Sequence, residues 1–164
     1  SDLWAQEAYL KASNAGASDD FGYVVSISGD TIVVGADHED SNQTTITNGT
    51  TSSSDNSKAD SGAAYVYKRT GSTWAQEAYL KASNTDSSDN FGHTVSISGD
   101  TIVVGAWNEA SNQTTITNGT TSSSNNSLSS VGAAYVYKRT NSTDRKSTRL
   151  NSSHEWISRM PSSA

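Results

Sequence analysis

Asp37-His38-Glu39-Asp40 is the densest run of chemically capable side chains in this sequence. Three carboxylates and an imidazole offer cation ligands or acceptors for a bound ligand. Asp19, Asp20, Asp86 and Asp89 add further carboxylates in the segments that precede the two Phe-Gly pairs. Catalysis asks for more. A nucleophilic triad needs a nucleophile beside an oriented base, and a glycosidase needs two carboxyl groups facing each other across a bond. His38 and His93 are lone histidines with no nucleophile motif and no spacing partner, so neither supports a triad or a zinc site. Trp107 occupies the position that Asp37 holds 70 residues earlier, and an indole there either stacks on a sugar ring or packs on its own loop. The candidate binding residues are therefore Trp107, Asp37, Glu39 and Asp40, with no catalytic residue and no metal ligand expected. In the second copy the run becomes Trp107-Asn108-Glu109-Ala110, so its role is not required of every unit.

The elements that carry these residues come from an internal repeat. Placing residues 4–70 on 74–140 leaves 14 differences in 67 positions. Near-identical units at a fixed period signal an architecture in which one unit cannot bury its own apolar face. Within a unit, Phe21, Tyr23, Val25 and Ile27 alternate along one strand face, Gly29-Asp30 turns the chain, and Thr31 to Ala36 returns almost wholly apolar. GAAYVYKR at 62–69 and the segment 73–82 complete a four-stranded antiparallel meander: 21–28, 31–36, 62–69, 73–82. Residues 3–12 repeat the last of these and read as the final strand of a preceding unit. The connection 37–61 is far longer than ordinary hairpin loops. Its Asn48-Gly49 between Thr-rich flanks predicts a protruding β-ribbon near 43–47 and 50–54, repeated at 113–117 and 120–124; a disordered Ser/Thr/Asn linker is the alternative. A meander brings 13–20, 37–61, 83–90 and 107–131 to the same end of the units, so the acidic residues share one face, as a ligand surface or simply as solvated charge.

The pattern carried by Trp74, Leu80, Ala82, Asp89, Phe91, Gly92, Val95, Ile97, Gly105, Ala106, Gly132 and Tyr135, and by their equivalents in the first unit, closely resembles the FG-GAP repeat. The resemblance spans residues 3–140. It implies an all-β fold, a fragment of a β-propeller like the head of integrin α chains, with four-stranded meander blades and a long loop or ribbon between strands 2 and 3. Such propellers commonly hold seven blades, and two fall here: residues 13–82, and 83–143 as an incomplete second, with 1–12 belonging to a preceding blade. Integrin-type repeats often carry a calcium loop before the Val-Gly-Ala strand. Only Ser28-Gly29-Asp30-Thr31 and Ser98 to Thr101 stand there, and one carboxylate cannot supply the 6–8 oxygens of a calcium site. No cofactor is expected on that ground.

Composition narrows the rest. Hydrophobic residues make up 32% and charged residues 17%, which suits short strands joined by long polar connections. A net charge of −6 gives no electrostatic footprint for nucleic acid. Without cysteine there is no disulfide framework, and no apolar run approaches the roughly 20 residues that span a bilayer. The repeat breaks off after Thr143. Residues 144–164 resemble the translation of a sequencing adaptor around a variable index and read as a segment foreign to the protein; the alternative is a natural basic, Ser-rich tail. The expected function is a non-enzymatic extracellular or cell-surface module for adhesion or recognition of a protein or glycan, with open blade edges pairing with further blades or other copies. A purely structural array and a propeller appended to a larger enzyme are the competing expectations.

Overall fold

A computed structural model describes residues 1–140, so the reading of 144–164 lies outside the described residues. The described residues are all-β, and the strands follow the alternation of the sequence: β1 (Val24–Ser28), β2 (Thr31–Ala36), β3 (Thr47–Asn48), β4 (Ala63–Thr70), β5 (Thr73–Leu80), β6 (Phe91–Ser98), β7 (Thr101–Ala106) and β8 (Ala133–Lys138). The first blade has the order β1-β2-β4-β5-β3, the second β6-β7-β8, and every ladder is antiparallel. Gly29 and Gly99 take the positive φ (+56° in both) that their two-residue turns require.

The blades stack face to face. Val33, Ala64, Val66, Ala78 and Leu80 of the first blade bury themselves against Phe91, Ile97, Ile102 and Val104 of the second. The opposite face of the first blade is covered only in part, by Leu10 and Ala12 of the N-terminal segment. Tyr23, Val25 and Ile27 consequently remain about 60% exposed, between 59% and 63%, although Ile97, the counterpart of Ile27, is buried against the first blade. The far face of the second blade likewise exposes Val103 and Val136. Each unit needs a neighbour to bury its face, as a repeat architecture demands.

Two expectations about secondary structure need correction. The ribbon over 43–47 and 50–54 does not form. Thr47 and Asn48 pair instead with Tyr79 and Ala78 of β5, and the Gly49 N–H donates to the Glu77 carbonyl at 2.7 Å. Thr-rich flanks have little apolar surface to hold a free hairpin, whereas the outer edge of β5 presents unpaired backbone groups. The loop therefore covers a sheet edge. At 113–124 no strand is found among the described residues, which hold no fourth strand beyond β8 whose edge the loop could cover.

Residues 3–12 are also in no ladder, and no sheet lies on their far side among the described residues. They nevertheless lie against the first blade as β5 lies against the second. Tyr67 Oη donates to the Lys11 carbonyl at 2.7 Å, and Tyr137 Oη to the Lys81 carbonyl at 2.8 Å. Arg69 pairs with Glu7 as Arg139 pairs with Glu77.

Candidate functional site

The ends of β2 and β7 and the starts of β1 and β6 bring the long loops together, and there the acidic residues separate into two groups. Glu39 belongs to the interior. Its side chain is 1% exposed and Lys81, at the end of β5, reaches it with Nζ 3.1 Å from Oε2. Ser41 donates to the same oxygen through its N–H (3.1 Å) and Oγ (3.0 Å), and Asn14 Nδ2 donates to Oε1 at 2.8 Å. Burial pushes the Lys81 amine down, opposed by the Glu39 carboxylate. Asp40 accepts the Asp60 N–H on Oδ1 at 2.8 Å and ties the loop's return to its start. Glu39 and Asp40 thus tie the loop to the blade.

Asp19 and Asp89 hold the turns that enter each Phe-Gly, accepting the Gly16 N–H (2.6 Å) and the Asp86 N–H (2.8 Å). Burial is the main cause that raises both carboxyls, Asp89 to about 6. An Asp is near 3.9 when unfolded, so the protonated side chain is the one that the fold favours. The stabilisation linked to Asp89 is complete below about pH 4 and is lost as pH rises through about 6. Asp89→Asn should therefore leave stability near pH 4 unchanged and raise it at pH 8 by on the order of 2 kcal/mol. Urea unfolding at the two pH values reads the difference, and an equal effect at both would exclude this origin.

The second group faces the surface. Asp37, only 2% exposed, directs Oδ2 to His93 Nδ1 at 2.7 Å across the blade junction. His38 Nδ1 lies 3.3 Å from Asp37 Oδ1 and 3.4 Å from Asp20 Oδ2. Beside them Tyr23, His93 and Trp107 form a row of rings, with centroids 5.2 Å and then 5.9 Å apart. Tyr23 is 59% and Trp107 54% exposed, so the row presents aromatic surface contributed by both blades. Of the four candidates read from sequence, the structure brings Asp37 and Trp107 to this junction. Asp20, Tyr23, His38 and His93 join them without having been singled out as binding residues; the signal for them is that the two units differ at each of these positions.

The FG-GAP repeat pattern matches residues 4–50 and 74–137. The chain belongs to the FG-GAP repeat family. No curated protein and no solved structure matches it. The antiparallel blades and their stacking agree with the propeller architecture of that repeat. FG-GAP units are structural modules, typical of extracellular and cell-surface proteins. No helix among the described residues is long and apolar enough to cross a membrane.

The family motif has a visible physical purpose here. Gly92 adopts φ +96° and brings its backbone against Ala63 of the first blade, while Phe91 meets Tyr135 and Tyr137 edge-on at 5.3 and 6.1 Å. The Phe91 N–H donates to the Ser61 carbonyl at 3.1 Å, joining blade to blade through the backbone. Phe-Gly is thus the seam residue pair of the FG-GAP array.

Proposed function

We propose that this FG-GAP chain is a non-enzymatic extracellular or cell-surface module that recognises a glycan or protein ligand through its loop face. The observation that carries the reading is the row Tyr23–His93–Trp107. Three rings from two blades lie side by side, two of them exposed. Aromatic faces pack on the apolar face of a sugar ring or on a partner's side chains, and they are enriched where interfaces concentrate their binding energy.

The same module is expected to join further blades. The edge of β8 that no described strand covers and the loop 113–123 line a groove that corresponds to the place of β5 in the first blade. Residues 4–12 repeat the sequence of 74–82 and carry no ladder of their own. They can enter that groove in a second copy, with Ala8 opposite Val136 as Ala78 lies opposite Val66.

The test is retention of the purified chain on an array of immobilised polysaccharides and extracellular matrix proteins, with its association state followed by sedimentation. Trp107→Ala should weaken retention at least about tenfold by removing the largest exposed ring of the row. Ala8→Pro should shift the chain toward monomer by deleting a ladder donor. Retention on no probe, or retention that Trp107→Ala leaves unchanged, would favour the purely structural array instead. A chain that is monomeric at every concentration would remove the edge-pairing part alone.

A further inference from the structure

We propose that Asp20, Asp37 and His38 form a binding site for a divalent transition ion of the zinc type at the junction of the two blades. One oxygen from each carboxylate and a ring nitrogen lie within 4.8 Å of one another. Two of the separations, 3.3 and 3.4 Å, involve His38 Nδ1. Tetrahedral metal–ligand bonds of about 2.0–2.1 Å set neighbouring donors about 3.3–3.4 Å apart, so the two separations at His38 Nδ1 already match, and a rotation of the exposed Asp20 side chain closes the third.

A second observation points to a ligand independently of this clustering. Asp37 Oδ1 and His38 Nδ1 are buried polar atoms with no hydrogen-bond partner among the described residues. Asp37 is almost wholly buried, and an unsatisfied buried carboxylate oxygen is costly. Its other oxygen is held by His93 Nδ1 at 2.7 Å, which fixes the carboxylate plane and directs Oδ1 at the cluster. A partner that orients a ligating carboxylate in this way is a regular feature of metal sites.

The second unit provides an internal comparison. Asn90 and Asn108 replace Asp20 and His38, and Trp107 replaces Asp37. There the polar groups close on the chain itself. Asn108 Nδ2 donates to the Ser88 carbonyl at 2.7 Å, Asn108 Oδ1 accepts from Ser130 Oγ, and Asn90 Nδ2 donates to the Asp37 carbonyl at 3.1 Å. The first unit has given up that closure and left three donor atoms converging.

The donor set selects the metal. One imidazole nitrogen and two carboxylate oxygens suit zinc or cobalt, whereas calcium takes 6–8 oxygens and no nitrogen. Three protein ligands leave a coordination position for water or an incoming ligand. The inference does not rest on the recognition reading, because the metal alone is the probe.

Titration of the full chain with cobalt(II) tests it. One equivalent should bind with the intense visible bands of a tetrahedral ion, zinc should displace it, and saturating zinc should raise the melting temperature. Asp20→Asn and His38→Asn install the residues that the second unit carries, at side chains 53% and 41% exposed, where folding tolerates the change. Each should weaken binding by at least about 100-fold, since even outer-shell partners are worth 10–100-fold. His154→Ala should leave binding intact. Absence of cobalt bands and of any zinc-induced shift in melting would overturn the proposal. So would binding that survives both asparagine variants, or binding that only His154→Ala removes.

Discussion

Replacing Gly92 with alanine should destabilise the chain by about 4 kcal/mol, while the same replacement at Gly22 should cost about 1–2 kcal/mol. The two glycines occupy the same place in the Phe-Gly motif and share the same backbone conformation, φ +96° and +98°. Alanine is strained by that conformation at either site. They differ in what surrounds them. A methyl group on Gly92 would sit 2.2 Å from the Ala63 carbonyl oxygen and 3.1 Å from its carbon, whereas one on Gly22 would meet nothing within 4 Å. The obstacle at Gly92 is backbone of the neighbouring blade, so no rotamer change relieves it and the seam itself must open.

The difference between the two variants therefore measures the close approach of the blades with local strain subtracted. Parallel urea denaturations give it directly, provided the m-value is unchanged. An equal loss at Gly22 and Gly92 would mean that the blades do not meet as described. In a fold whose total stability is of order 5–15 kcal/mol, the Gly92 variant should be close to separating its blades at 37 °C.

The seam illustrates what could and could not be read from the chain. The Phe-Gly pair was visible as a motif, and the strands 24–28, 31–36 and 63–70 were visible because half-buried strands alternate with period two. Nothing local shows that Gly92 is packed against Ala63 while Gly22 is free, because that depends on which blade lies on which side. The loop after β2 was misread for a related reason. Asn48-Gly49 carries a strong local hairpin signal, yet the backbone partners that β5 offers decide the outcome, and they are some 30 residues away. His38 looked solitary in the sequence because Asp20 reaches it only after β1 and β2 have folded back on each other. Local alternation fixes strands; the site is made by pairings that the alternation does not encode.

Lys81 shows the same dependence in energetic form. Lys81→Met should destabilise the fold by about 3–5 kcal/mol, because it leaves the Glu39 carboxylate buried without its counter-charge. Lys81 uses all three of its donors: Glu39 Oε2 at 3.1 Å, Ser61 Oγ at 2.9 Å and the Gly62 carbonyl at 2.6 Å. The last two partners lie where the long loop rejoins the sheet, so the ammonium links the loop's start at Glu39 to its end at Gly62 and to β5. Adding Glu39→Leu to Lys81→Met should recover most of the loss, since replacing both members of a buried ion pair is often nearly neutral. The second unit supplies the contrast. Glu109 is buried in the same manner and accepts from Asn84 Nδ2 at 2.8 Å and Ser111 Oγ at 3.0 Å, with no lysine beside it among the described residues. Glu109→Gln should accordingly cost less than about 1 kcal/mol, its amide keeping an acceptor oxygen while shedding a buried charge. Urea midpoints of the three variants and the parent separate the cases. If Lys81→Met stays within about 1 kcal/mol of the parent, the ion pair contributes little and the loop is held by its hydrogen bonds alone.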